Sequence, residues 1–587
     1  MKFAGGEERP GQCVRPAVEP ELMNRRDWAS DLVLNKCYSS QNHVHFGSTP
    51  AFFGMRMKGG LPMQPRQIAM DLSSLQLVLL LPFLTLLCLL FLRHDPKKQP
   101  RANGLKAYPL VGILPHLIKN QHRFLEWSAA VLKRSSTHTM SFKVPGLTGG
   151  VITANPANVE HVLKTNFANY PKSEVTMSTM EDFLGHGIFN SDGEQWLWQR
   201  KAASYEFSKR SLRSFVVDAV RSEVVDRLLP LLDRVARDGR TLDVQDVLER
   251  FAFDSICRVA FGEDPACLAA DDEGASSRQS AEFMRAFDDV EDGIMARFMS
   301  PVKSLWRVKR LLNLEPERRL REALNTVHGY ADRIVRQRRE KGDAAGLARG
   351  GDDDFLSRFL DVGEHSDAAL RDVVTNFLLA GRDTTSAALT WFFWLVSTRP
   401  DVEAKIVREI RQVRGASIQG DTARDTFSFD ELREMHYLHA AITESMRLYP
   451  PVAMDSQCCK QDDSLPDGTF VGKGWITTYS AYAMGRVEDI WGGDCEEFRP
   501  ERWLGEDGAF RPECPFRYPV FHAGPRMCLG KEMAYIQMKS IVACAFEKFR
   551  FRFLGGEQPG LLLSFTLRMK GGLPMQVNKR GYVVKVT

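Results

Sequence analysis

A cysteine stands in FHAGPRMCLG, Phe521–Gly530, where a Gly/Pro turn meets a helical pattern. The first N–H groups of a helix and its macrodipole favour a thiolate, so this position predicts a lowered pKa for Cys528. A thiolate is the form of cysteine that attacks carbon or ligates a metal. Gly524 and Pro525 suit a tight turn, Gly530 lets another surface approach closely, and Arg526 places a cation two residues before the sulfur. A lone cysteine is most often a buried structural thiol. The complete spacing F-x-x-G-x-R-x-C-x-G is far more specific.

Other residues with chemical potential precede it. AGRDTT, Ala380–Thr385, falls inside a helical pattern, where Gly381 and a Thr-Thr pair are poor choices. A threonine hydroxyl there can bond a backbone carbonyl and bend the helix. ESMR sets Glu444 and Arg447 three apart, on one helix face. Alone, such a pair is usually a solvated surface ion pair of small value. WLWQR spaces Trp196 and Arg200 by four, which alone reads as a core aromatic and an exposed arginine.

Taken in order, these motifs resemble the cytochrome P450 family of haem-thiolate monooxygenases. The resemblance implies Cys528 as axial ligand of the iron of haem b, with Phe521 packed near the sulfur and Arg526 at a haem propionate. Trp196 and Arg200 are implied to meet propionates too. AGRDTT is implied to cross the distal face, with Thr384 acting on iron-bound oxygen and Asp383 relaying protons. Ala380 occupies the place where many animal fatty-acid ω-hydroxylases carry a haem-esterified Glu, so non-covalent haem is expected. Glu444 and Arg447 are implied to join Arg502, from FRPERW, in a buried triad supporting the cysteine loop. The implied fold is the P450 fold, mainly α with small β-sheets.

The elements that must position these residues are legible in outline. One helix is expected after Ser366, running to about Ser397 and stopped by Arg399–Pro400. SFDE has capping-box spacing at Ser428 and Glu431, and a helical pattern continues, with room for a break, to Tyr449–Pro450–Pro451. A third helix begins beside Cys528 with LGKEMAYIQMKSIVACAFEKF. Short β-type runs appear at Thr139–Val144, at Gly149–Thr153, near Thr469–Tyr479 and in the last 30 residues.

Composition excludes several classes. The 587 residues are 44% hydrophobic and 26% charged, with net charge +4, which fits a globular chain. No Lys/Arg stripe with interleaved aromatics marks a nucleic-acid groove. The eleven cysteines are scattered, without CxxC pairs or zinc spacing, as expected of free thiols in a reducing compartment. HExxH, GxSxG and phosphate-loop motifs are absent.

LQLVLLLPFLTLLCLLFL, Leu75–Leu92, has only Gln76 and Thr85 as polar members. As a helix it spans about 27 Å, close to the thickness of a bilayer core. Arg93, Lys97, Lys98 and Arg101 follow it, so the positive-inside rule leaves the bulk of the chain in the cytosol. The reading is a single-pass signal anchor over 70–93 in the endoplasmic reticulum membrane. A Pro/Gly-rich hinge over 94–115 and a monooxygenase domain over 116–587 follow. Residues 1–69 show no trustworthy period. They contain RMKGGLPMQ at Arg56–Gln64, which recurs at Arg568–Gln576. The second copy, with Gly571–Gly572 suited to a turn or bulge between strands, is expected to belong to the fold. Residues 1–69, which precede MDLSSLQLVLLLP at Met70, are expected to be an extension outside the working enzyme.

DSLPDGTFVGKGW, AYAMGR, YPVFHAGPRMCLGKEMAYIQMKS and LRMKGGLP narrow the resemblance to the plant clan that hydroxylates chain ends. This implies ω-hydroxylation of fatty acids, with a jasmonoyl-amino acid conjugate or a steroid side chain as alternative substrates. A haem-binding protein without turnover is the non-enzyme alternative. Candidate pocket stretches are Thr176–Phe189, Asn376–Ala380, Val452–Met454 and Ser564–Thr566. The implied partner is a membrane-bound NADPH-cytochrome P450 reductase docking near the Cys528 side, with Lys531 and Lys539 as candidate contacts.

Overall fold

The computed structural model describes residues 105–581, apart from residues 106, 109–110, 145–147, 208–219, 270–274, 301–304, 345–354, 362–364 and 417–424. The extension and the anchor expected over 1–69 and 70–93 lie outside the described residues, as does the first copy of RMKGGLPMQ. Among the described residues no helix is long and apolar enough to cross a membrane. Residues 111–115, read as the end of the hinge, are tied into the fold. Gly112 bridges Tyr108, Ile113 N–H donates to Lys143 O at 3.1 Å, and a helix begins at Leu114.

Six helices frame the chemistry: α1 (Gly193–Ser204), α2 (Val244–Phe261), α3 (Ala275–Met299), α4 (Asp367–Ser397), α5 (His436–Leu448) and α6 (Lys531–Lys548). Local sequence sets their ends. The Ser366 side chain accepts from Ala369 N–H and opens α4, which stops before Arg399–Pro400. Asp243 caps α2 through Gln245 N–H and Asp246 N–H, and Gly262, at φ +62°, closes it. Ser428 and Glu431 form a reciprocal capping box over Phe429–Glu434. The chain then breaks at Met435 before α5 begins.

The sheets are small. β1 (Thr139–Phe142) and β2 (Gly150–Thr153) are antiparallel, with β3 (Thr241–Asp243) next in the chain. β4 (Asp455–Cys458) and β5 (Ile476–Tyr479) complete a four-stranded sheet in the order β1-β2-β5-β4, with β2 and β5 parallel. The C-terminal strands are β6 (Phe549–Phe553), β7 (Leu561–Leu563), β8 (Leu567–Met569) and β9 (Pro574–Lys579). β7 and β8 form the hairpin, whereas β9 pairs with β3 and β6. The Gly571–Gly572 turn, with φ of +86° and +78°, therefore joins two sheets rather than the arms of one hairpin.

The apolar core forms two clusters. One gathers the C-terminal half of α4 with the start of α2, α5, α6 and the sheets; the other gathers the N-terminal half of α4 with the end of α2 and with α3. Ala380–Ser386 fall between them, so the AGRDTT segment lies at the seam. The cysteine loop meets the same seam, with Ala523 in the first cluster and Leu529 packed on the second.

Candidate active site

Cys528 sits in the turn before α6. Its N–H donates to Phe521 O at 2.8 Å, and Met527 N–H to Gly524 O at 3.1 Å. Gly524, at φ +65°, lies against Leu163, where a Cβ would meet the Leu163 carbonyl oxygen at 2.0 Å. No side chain fits there. At Gly530 a Cβ would meet Phe207 at 3.4 Å, ordinary contact, so the described residues do not press on it. The Phe521 ring packs on Tyr535 at 5.3 Å.

Cys528 is accessible to a water-sized sphere yet almost wholly surrounded by protein, as is a side chain that lines an internal cleft. Burial raises its thiol pKa, and the Gly530 N–H, Arg200 and Lys531 do not offset it. This corrects the expectation of a lowered pKa. Desolvation of the unligated sulfur outweighs the helix terminus, and a metal cation bound at the sulfur would favour the thiolate. All eight described cysteines are free.

Two arginines and a tryptophan flank this cleft. Arg526 lies over the Trp196 ring at 4.3 Å and donates to Asp192 at 2.8 Å. Arg200 donates to Met527 O at 2.6 Å and stands 5.8 Å from the same ring. Burial lowers the pKa of both guanidinium groups. Arg200 has no carboxylate partner among the described residues. Its charged neighbours are the Cys528 sulfur and another arginine. A sulfur donor beside a cation-rich rim fits an iron-bearing group with acidic substituents.

On α4, Thr384 Oγ1 donates to Ala380 O at 2.7 Å, the bond that its helical position invites. Gly381 lets α2 approach, since a Cβ there would meet Ile256 at 2.5 Å. Asp383 is buried and accepts from Arg382 at 2.6 Å. Arg382 is fully buried and also donates to Asp288 of α3 at 2.7 Å, with Glu249 of α2 at 3.7 Å. Arg568 of β8, from the second RMKGGLPMQ, reaches Asp288 at 3.1 Å and Glu249 at 3.5 Å. The sequence reading missed this network; the local signal was a second Arg-Asp pair, Arg382–Asp383, deep in α4 and flanked by apolar and small residues.

The triad is assembled and buried. Arg447 makes two bonds to Glu444, at 2.7 and 2.9 Å, and donates to the carbonyls of Gly485, Cys495 and Glu497. Arg502 joins Glu444 at 3.3 Å and Trp503 donates to it at 2.8 Å. Trp503 meets Tyr518 edge-on at 4.9 Å, and Tyr518 Oη donates to Thr443 O at 3.0 Å. This links the triad to the chain leading into the cysteine loop.

The candidate pocket stretches partly converge. Phe183 meets Phe565 edge-on at 6.0 Å. The Asn376 amide is occupied, donating to Leu184 O and accepting from Phe189 N–H at 3.0 Å. It holds the 185–189 loop rather than facing a ligand. Ala453 is buried, and Val452 is 39% exposed. Lys539, expected at a partner surface, is buried and donates to Leu432 O at 2.5 Å, and burial lowers its pKa to about 8. It cannot be a docking contact.

The cytochrome P450 family model matches residues 103–575. A cytochrome P450 from Paris polyphylla, CYP94D108, is 47% identical over 489 residues, covering 83% of this chain and 94% of its own. Cytochrome P450 94B1 of Arabidopsis thaliana is 44% identical over 480 residues, 81% and 91% of the two chains. Cytochrome P450 94A2 of Vicia sativa is 43% identical over 503 residues, 84% and 95%. A cysteine flanked by two arginines and a tryptophan, on a chain matched over this length, leads to one conclusion: the protein belongs to the cytochrome P450 family, monooxygenases that hold haem through a cysteine thiolate.

Proposed function

We propose that the protein hydroxylates the terminal carbon of fatty acids, using molecular oxygen and electrons from NADPH through a cytochrome P450 reductase. The observation that supports this reading is an aromatic wall beside the proton-handling segment. Phe183 packs edge-on against Phe287 at 5.3 Å and against Phe565, and Arg382 lies over the Phe287 ring at 5.1 Å. An aromatic cluster packed against Arg382 of the AGRDTT segment suits an alkyl chain. A terminal C–H bond is stronger than its internal neighbours, so the pocket must admit only the chain tip.

Bound haem supplies the oxygen activation. In this reading the Cys528 sulfur would hold its iron, and Arg200 and Arg526, with Trp196 packed against Arg526, would hold its acidic edge. Thr384 and Asp383 hold and pass protons. Glu444, Arg447 and Arg502 keep the cysteine loop in place. Lys531 remains the candidate contact for the reductase. Residues 70–93 anchor the chain in the endoplasmic reticulum membrane with the catalytic domain facing the cytosol.

The test is turnover of purified protein with reductase on a substrate panel. Laurate should give mainly the product hydroxylated at the terminal carbon. Internal hydroxylation, or turnover of a jasmonate conjugate or sterol with none of any fatty acid, replaces the proposed substrate. A thiolate-type spectrum of the reduced carbon monoxide complex without any turnover replaces the proposed activity with haem binding alone.

A further inference from the structure

Glu291 of α3 is fully buried, and neither of its carboxyl oxygens has a hydrogen-bond donor. Asp383 Oδ2, also buried, lacks one as well. The two carboxyls are neighbours within the cluster around Arg382, each close enough to feel the other's charge. Two facing acceptors are satisfied only when one carries a proton, and the shared proton then meets both needs.

Charge in the cluster points the same way. Arg382 and Arg568 face the carboxyls of Asp383, Asp288, Glu249 and Glu291. The close ion pairs go to Asp383, Asp288 and Glu249, with none to Glu291. Two cations shared among three buried carboxylates and the half-buried Asp288 leave negative charge uncompensated in the interior, which protons make up. Burial, then the neighbouring Asp383, raises the Glu291 pKa well above the usual range, and burial also raises that of Asp383. Glu249, raised by burial to about 7, and Asp292, raised by burial at the edge near Ser564, belong to the same set.

We infer that Glu291 is a positioning and relay residue that holds a proton and passes it to Asp383 Oδ2, one residue from Thr384. The step is balanced. The proton leaves a Glu291 oxygen, Asp383 becomes the neutral acid, and the negative charge moves to Glu291 with the cluster's total unchanged. Arg382 keeps Asp383 Oδ1, which leaves Oδ2 as the acceptor. Glu291 regains its proton from solvent at the outer edge, where the Asp288 side chain is 28% exposed. Asp288 lies three residues before Glu291 and four before Asp292, so it neighbours both on α3. The inference rests on the monooxygenase reading of the site, whatever the substrate.

The experiment compares Glu291→Gln and Glu291→Asp with wild type as haem-loaded proteins. In infrared spectra, wild type should show the C=O stretch of a buried protonated carboxyl that persists at neutral pH, and Glu291→Gln should lose it. With reductase, on whichever substrate wild type converts, Glu291→Gln should keep KM while product per NADPH falls about tenfold and hydrogen peroxide rises. Glu291→Asp should recover coupling. Because the Glu291 pKa is raised, the proton is present at low pH and lost on the alkaline side. Wild-type coupling should therefore decline as pH rises, and that of Glu291→Gln should stay low and flat. An unchanged carboxyl band in Glu291→Gln overturns the shared proton. Wild-type coupling and pH profile in that variant, or no recovery in Glu291→Asp, overturn the relay. If no fatty acid is converted but another substrate is, the substrate proposal fails while the comparison stands. If Glu291→Gln fails to take up haem, Asp383→Asn in the infrared experiment decides: it should shift the Glu291 band by removing its carboxylate partner, and an unmoved band overturns the pair.

Discussion

Thr384 donates its hydroxyl proton to its own helix, and Asp383 is gripped by Arg382 on one oxygen. Both groups are held in place rather than free in a cavity. Thr384→Ala should therefore retain haem and its spectrum, while product per NADPH drops at least about tenfold and peroxide appears. Unchanged coupling would remove the hydroxyl from the reaction. At Cys528, burial makes an unligated thiolate unfavourable. Cys528→Ser should abolish the thiolate-type absorption of the reduced carbon monoxide complex and end turnover; a variant that kept the band would name another ligand. The cysteine loop was legible because its geometry is local. Gly524 must be glycine and Cys528 N–H returns to Phe521 within one turn. Glu291 was not legible. It lies among Asp288, Asp289 and Asp292, a run that resembles a solvated acidic face, and only its distant neighbours make it a buried group.

At the scale of elements, α4 and α5 each owe their placement to one position that tolerates little. A methyl at Gly381 collides with Ile256, so Gly381→Ala should separate α4 from α2 and cost roughly 1–3 kcal/mol in chemical denaturation. A loss below measurement would mean that Ile256 simply rotates away. Glu444 neutralises Arg447 and Arg502 and also accepts from Trp503 and from Arg499 N–H. Glu444→Ala leaves the Arg447 guanidinium buried without its carboxylate, while Arg502 keeps Asp494 at 2.9 Å, and should cost about 3–5 kcal/mol, with haem retention falling in parallel. Full stability with normal haem content would reduce the triad to an incidental ion pair. Helix ends were legible from caps at Ser366 and Ser428 because a cap depends on residues within one turn. The C-terminal pairing was not. The Gly571–Gly572 turn predicts a reversal but does not state which strand receives the chain, and β9 goes to β3, more than 300 residues earlier.

At the scale of the whole chain, the second copy of the repeated nonapeptide has a structural part to play among the described residues. Arg568 ties β8 to α3 and α2, and Leu573 N–H is held by Asp243 at the start of α2. We propose that residues 1–69 contribute nothing comparable. A chain beginning at Met70 should match the full chain in haem content and turnover, and N-terminal peptides of the native protein should start there. Loss of haem on truncation, together with native peptides from before Met70, would make the extension functional. Lys539 marks the limit of reading surfaces from sequence. At i+8 from Lys531 it sits on the same helix, yet it faces Leu432 in the interior because α6 is buried along most of its length. One further consequence follows from the loop at Gly185–Phe189. His186 N–H is held by Asp372 at 2.9 Å and Phe189 N–H by Asn376 at 3.0 Å, so side chains of α4 serve as the loop's missing backbone partners. In deuterated solvent these two amides should exchange on the slow timescale of the helix that clamps them, far more slowly than a loop ordinarily does. Asn376→Ala should release the Phe189 amide to rapid labelling while that of His186 stays protected.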